Sequence, residues 1–376
     1  MKKIILVLAL AAISTSYSYA EEKNQEQTPK LNPQEQMTAE CNSGTAQKCL
    51  TLAEEFKAAE KFGDAADYYD KACSLNDATG CHELANLYTF KKGKKADLIK
   101  AQDLYKKACE LGSGESCYLV GHFLENGEAT TADKTEALSY YQKACELNHG
   151  LSCTGVGFFY NMGIGIEPDY KKSAEYFRQG CELNDGLGCT NLATMYKEGK
   201  GVEANYRESR ETFRKACDLG NASGCVGIAE LYENGTGVKK NQDKAEGFYK
   251  KGCELNSADG CFTLGEFYQK KNDPIKSRFY YEKSCSLDSP EGCLSLGVAY
   301  RDNAYGEESE ETIIKSLDLL KKACDLRNGT GCFYLGNDYL QGYRLRQNFN
   351  MAKEYFGKAC DYGVPDGCTY FANMNR

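Results

Sequence analysis

The chain is predicted to be all-α: a right-handed α/α solenoid superhelix of nine disulfide-stapled two-helix repeats. Three observations predict it. The twenty cysteines fall into ten C-x7-C pairs. The first cysteines of successive pairs are 32, 36, 36, 36, 36, 36, 32, 39 and 36 residues apart. Between pairs, apolar residues recur at helical spacing. A chain of 376 residues is too long for one ordinary core, and a period held along it identifies an array in which each repeat buries its apolar face against its neighbours.

The pairs are Cys41 with Cys49, Cys73 with Cys81, Cys109 with Cys117, Cys145 with Cys153, Cys181 with Cys189, Cys217 with Cys225, Cys253 with Cys261, Cys285 with Cys293, Cys324 with Cys332 and Cys360 with Cys368. After each second cysteine, apolar or small residues at +3, +4 and +7 (Leu192, Ala193 and Tyr196 after Cys189) mark a first helix, A. Its +4 residue is Ala or Gly, as at Ala53, Gly157 and Ala229, where a larger side chain would hold the next helix away. Before each first cysteine a second helix, B, carries an aromatic or Leu at −4, as at Tyr69, Phe177 and Leu320, and Ala or Ser at −8. Large and small residues two turns apart give a knob and a recess for antiparallel packing. Turns such as Gly199-Lys200-Gly201-Val202 join A to B. Two glycines suit a left-handed helix end, and the apolar fourth residue can plug the gap between helices. No Lys-Ser or Lys-Thr follows these glycines and no strand precedes them, so a phosphate loop is not indicated.

Lys2 and Lys3, the apolar run Ile4 to Ile13 and the ending Ser18-Tyr19-Ala20 read as a signal peptide over residues 1–20. The run is far short of a membrane span. Residues 21–38 are polar, with Pro29 and Pro33, and read as a flexible leader; residues 39–376 are the solenoid. Export would place the chain in the periplasm or the medium, where disulfides persist. Loss of residues 1–20 removes two lysines and no acids, taking the net charge from −8 to −10. That charge disfavours nucleic-acid and anionic membrane partners. A soluble monomer is expected, with the face of its last helix partly open.

Bridges within each C-x7-C pair would staple helix B to the next helix A and use all twenty cysteines. The rival scheme, Cys189 to Cys217 and its equivalents, would leave Cys41 and Cys368 unpaired. Structural zinc favours closely spaced pairs or added histidines, and only His82, His122 and His149 are present. No metal or other cofactor is therefore expected.

The segment from Lys143 to Tyr160 reads K-A-C-E-L-N-x-G-x-x-C-x-x-V-G-x-x-Y. It resembles the Sel-one-like repeat, a relative of the tetratricopeptide repeat, and the C-x7-C pairing is similar to the Helicobacter cysteine-rich protein family. The resemblance implies a secreted binding scaffold. It also implies, as the alternative, a weak penicillin-binding protein or β-lactamase, with β-lactams or peptidoglycan fragments as ligands. Serine enzymes of that kind need S-x-x-K and a later K-T-G or K-S-G, none of which occurs. Carboxylates such as Glu198 or Glu230, or His122 as a base, are the remaining catalytic candidates, and no catalytic residue is assigned.

With +3, +4 and +7 of helix A turned inward, +2, +5 and +9 share another stripe. In tetratricopeptide-like stacks helix A lines the concave groove, so the resemblance makes this stripe the ligand face. Its members are Glu83, Asn86, His122, Asn126, Phe158, Asn191, Thr194, Glu198, Glu230, Asn234, Thr263, Glu266, Tyr334 and Asn337. Asparagine donates and accepts at once, which suits an extended peptide or cell-wall amide, and the acids would select cationic groups. The sequons at Asn221, Asn234 and Asn328 sit at repeat edges and read as turn chemistry.

Overall fold

The computed structural model describes residues 32–90, 97–306, 309–343 and 345–374. Among them the regular structure consists of twenty helices. The chain divides into two compact units, one running to Phe123 with Gly127–Thr131, the other made of Leu124–Asn126 and the chain from Ala132. The first holds α1 (Pro33–Asn42), α2 (Ala46–Ala58), α3 (Phe62–Ser74), α4 (Ala78–Thr89), α5 (Leu98–Glu110) and most of α6 (Gly114–Asn126). The second holds α7 (Lys134–Glu146), α8 (Gly150–Met162), α9 (Tyr170–Glu182), α10 (Gly186–Glu198), α11 (Tyr206–Asp218), α12 (Ala222–Asn234) and α13 (Gln242–Glu254). It continues with α14 (Ala258–Lys270), α15 (Pro274–Ser286), α16 (Pro290–Arg301), α17 (Glu310–Asp325), α18 (Gly329–Gln341), α19 (Phe349–Asp361) and α20 (Pro365–Asn373). Even-numbered helices are A and odd-numbered ones B, so nine A/B pairs run from α2 and α3 to α18 and α19.

All twenty cysteines are bridged within their C-x7-C pairs. In the first unit Cys41 is joined to Cys49, Cys73 to Cys81 and Cys109 to Cys117. In the second, Cys145 is joined to Cys153, Cys181 to Cys189, Cys217 to Cys225 and Cys253 to Cys261. Cys285 with Cys293, Cys324 with Cys332 and Cys360 with Cys368 complete the set. The paired Cα atoms are 4.4–4.8 Å apart, so each helix B is tied to the following helix A. Small residues beside the sulfurs permit that approach. A Cβ on Gly224, just before Cys225, would lie 2.5 Å from the Cβ of Ala216, just before Cys217; at Gly80 the same contact, with Ala72, would be 2.6 Å. Two residues before the first cysteine, a lysine reaches back one repeat. Nζ of Lys107, Lys215, Lys283 and Lys322 donates to the carbonyl oxygens of Cys73, Cys181, Cys253 and Cys285 at 2.7–3.0 Å. A cation thus meets carbonyls at the end of the previous helix B that already accept one turn N–H, from Asn76, Asn184, Asn256 and Asp288.

The large-and-small pattern forms the core. Tyr69, Tyr105, Phe177, Tyr249, Tyr281 and Phe356 are fully buried. A Cβ on Gly157 or Gly265 would stand 2.6 Å from the ring of Phe177 or Tyr281. A second aromatic layer lies beside the first. The +7 ring of helix A lies parallel to a ring at −5 on helix B in Phe56–Tyr68, Tyr160–Tyr176, Tyr232–Phe248, Tyr268–Tyr280 and Tyr339–Tyr355, with centroids 5.4–6.0 Å apart. In each of these stacks a lysine sits 4.7–5.2 Å from one ring centroid.

Helix ends follow the turn chemistry. Asn221 and Asn328 are side-chain N-caps of α12 and α18, and Asn234 precedes Gly235, which ends α12 in the left-handed region. Three residues after the first cysteine the backbone is left-handed at Asn76, Asn148, Asn184 and Asn256, and also at Arg327. Val202 and Val238 pack onto the core as plugs.

One assignment is corrected. Residues 33–38, placed by composition in the flexible leader, form the first turns of α1. Asn32 and Glu35 make a reciprocal capping box, and Met37 packs on the first core cluster. The signal segment and residues 21–31 lie outside the described residues. Among the described residues no helix is long and apolar enough to cross a membrane.

Burial and a Glu233 carboxylate 2.6 Å away hold the Tyr249 hydroxyl well above its ordinary value. Burial and Glu54 do the same for Tyr69. Burial and the charge of Glu266 push Tyr281 up to about 12. Because these folded values lie above the unfolded value of about 10, the stabilisation is complete below about pH 10 and is lost as pH rises through the alkaline range. In a spectrophotometric titration these tyrosines should ionise only as the helical signal is lost. Ionisation of all 27 tyrosines in one step near pH 10, with helix content intact, would contradict this packing.

Candidate ligand-binding face of the A helices

In the second unit α8, α10, α12, α14 and α16 pack side by side, so their outward residues form one layer. Phe158, Asn191, Thr194, Glu198, Glu230, Asn234, Thr263 and Glu266 fall on successive members of it. Tyr334 and Asn337 lie on α18, and Asn126 at the end of α6 belongs to the same unit. Glu83, Asn86 and His122 lie in the first unit.

The members are not equally available. Asn126, Glu198 and Asn234 are exposed, and the rest are half-buried. The carboxamide oxygen of Asn86 accepts from the Tyr105 hydroxyl at 2.6 Å, which ties it into its own repeat. Asn191 donates to the Leu187 carbonyl, and Asn337 accepts from Gln341. Thr194 and Thr263 donate to carbonyls one turn back. Phe158 packs edge-on against Phe177, with centroids 5.3 Å apart, and works as a core wedge. His122 Nδ1 stands 3.3 Å from Glu128.

Basic residues that the stripe pattern did not include set its electrostatics. The position eight after the second cysteine is basic in three repeats, and each time it pairs with the next helix A. Lys57 meets Glu83 at 2.7 Å, Lys197 meets Glu230 at 3.6 Å and Arg301 meets Asp338 at 3.0 Å. Glu83 and Glu230 are thus already partnered, and Glu198 and Glu266 form no ion pair among the described residues. The signal was in the sequence, as a base at +8 followed one repeat later by an acid, but periodicity alone does not reveal it.

The acid of the third pair is buried. Asp338 is 2% exposed and occupies the +6 position, which is apolar in most repeats, as at Leu87, Phe159 and Leu231. Arg301 donates to it from Nε and Nη2 and lies 5.0 Å over the ring of Tyr334. Among the described residues no group of three or more His, Cys, Asp or Glu is arranged to hold a metal ion. His82 and His149 each bond a serine hydroxyl, of Ser116 and Ser152.

Removing one partner of a buried pair strands the other charge. Arg301→Met, which leaves the buried Asp338 carboxylate unpaired, should lower stability by about 3 kcal/mol in urea denaturation, and adding Asp338→Leu should return most of the loss. A cost under about 1 kcal/mol, as for a surface pair, would contradict the burial.

The Sel1 repeat matches residues 62–77, 78–113, 114–149, 150–185, 186–221, 222–257 and 330–363, and the tetratricopeptide repeat matches residues 258–291. No curated protein matches the chain. Among solved structures the chain is similar to a protective antigen of uropathogenic Escherichia coli strains that displays an SLR fold. The two are 24% identical, with a TM-score of 0.60, over 92% of this chain and 82% of that one. It is also similar to a Sel1 repeat protein from Oxalobacter formigenes, at 22% identity and a TM-score of 0.56, over 63% of this chain and 96% of that one. Cysteine-rich protein B of Helicobacter pylori is 39% identical over 35% of this chain and 94% of its own, with a TM-score of 0.29. The first two likenesses concern the fold alone. The sevenfold match, covering more than half of the residues, shows that the chain belongs to the Sel1 repeat family.

Proposed function

We propose that the chain is a binding scaffold acting outside the cytoplasm, which holds a peptide, protein or peptidoglycan-derived ligand on the outward stripe of its A helices. Sel1 repeat proteins are generally protein-interaction scaffolds. The observation that carries the choice of face is the side-by-side packing of α8, α10, α12, α14 and α16. It sets exposed Glu198 and Asn234, with half-buried Asn191, Thr263 and Glu266, at repeat-by-repeat intervals. An extended chain offers amides at regular spacing, and amide-bearing side chains can both donate to and accept from them. Glu198 and Glu266 supply the charge for a cationic group. Ten disulfides suggest an oxidising extracellular or periplasmic compartment, in keeping with the reading of residues 1–20 as a signal peptide.

Asn191→Ala, Asn234→Ala and Asn337→Ala together should leave helix content and melting nearly unchanged, as surface substitutions do. They should weaken retention of ligand from the native extract by roughly tenfold to a hundredfold. Retention equal to that of the unsubstituted protein would remove the stripe from the account.

A further inference from the structure

The parallel ring stacks give way at one repeat to a small polar residue. The +7 ring of helix A faces a Tyr or Phe at −5 of helix B in five repeats. Tyr88 and Tyr300 have Leu104 and Leu319 there instead, and both leucines pack into the adjoining clusters. Tyr196 has Thr212 at that position, and both line one pocket. Threonine is too short to cover a phenol ring, and the space it leaves is an open pocket of about 330 Å³ bounded by α9, α10 and α11. Arg178, Glu182, Tyr196, Glu208, Thr212 and Lys215 are among its lining residues.

The basic groups at its mouth are committed. Arg178 donates to the Tyr196 hydroxyl at 3.3 Å, and Lys215 to the carbonyl of Cys181 at 2.7 Å. Glu211 pairs with Arg207 and Arg210. Arg178 and Lys215 keep their charge but have donors engaged, whereas Glu182 and Glu208 form no ion pair among the described residues, so two carboxylates of the lining are open to a ligand's cation.

We propose that this slot receives a tyrosine or phenylalanine side chain of a partner polypeptide, carried next to a lysine or arginine. The chain itself shows what fills the equivalent space: an aromatic ring parallel to the +7 ring, with a cation within about 5 Å. Here the inner face of Tyr196 supplies half the stack, and Glu182 and Glu208 supply the counter-charge for the neighbouring base. The slot lies among two B helices and α10, and its residues are not those of the stripe, so it stands or falls independently of the function proposed above.

The test uses acetyl-Tyr-Arg-amide as probe on the oxidised full chain, followed by the methyl resonances of Leu192. Saturable shifts with a dissociation constant in the millimolar range are expected, as suits one ring and one charge. Acetyl-Ala-Arg-amide and acetyl-Tyr-Glu-amide should bind roughly tenfold more weakly or worse. Thr212→Tyr, which restores the pair found in five other repeats, should raise the melting temperature and abolish the shifts. Thr212→Leu, which copies the side chain present at Leu104 and Leu319, should do the same if the tyrosine variant does not fold. Failure of the first probe to saturate, equal binding of the alanine probe, or binding retained with the slot filled would each overturn the proposal.

Discussion

Everything in this molecule depends on how closely the end of one helix B can approach the start of the next helix A. Ten sulfur bridges hold that approach at a Cα separation of 4.4–4.8 Å, and Gly224 against Ala216 shows why the neighbouring side chains must be small. Each bridge closes a loop of only nine residues, which the chain-entropy model values at roughly 2.5 kcal/mol. The effect is local. It removes freedom where an array of short helices is most prone to open, because each repeat contacts only its neighbours.

With the junction set, the remaining contacts follow as a register. The lysine two residues before the cysteine reaches the previous junction, as Lys215 does to Cys181, so adjacent staples are linked by a hydrogen bond as well as by helix. The −4 aromatic then falls into the recess left by Gly157, Gly265 or their alanine equivalents, and its −5 neighbour meets the +7 ring. The outward face of helix A is what this register leaves over. Its regularity is thus a consequence of the core, while its chemistry, a carboxylate here and a carboxamide there, varies from repeat to repeat.

Most of the fold was legible because its determinants are local and periodic. The cysteine spacing, the small residue at +4 and the aromatic at −4 recur within each repeat and mean one thing each time. The local pairing scheme preferred for the cysteines, from Cys41 with Cys49 to Cys360 with Cys368, is the one the fold contains. What stayed hidden runs between repeats or depends on side-chain direction. The pairing of Lys197 with Glu230 and of Arg301 with Asp338 joins residues 33 and 37 positions apart, beyond any helical period. Asn86 looked like a ligand-facing amide, but a buried tyrosine from the next helix claims it. Phe158 has stripe spacing yet leans into the core. At the N-terminal end, polar composition masked the capping box that starts α1 at Pro33. Thr212 is conspicuous only once the stacks around it are seen, since a threonine in an exposed-looking helix attracts no notice by itself.

The most direct test of the central claim is mass mapping of non-reduced proteolytic peptides from the native protein. Each bridge should join cysteines eight residues apart, as in Cys181–Cys189 and Cys217–Cys225, with no free thiol. Peptides linking Cys189 to Cys217, or thiols open to alkylation without reduction, would contradict it.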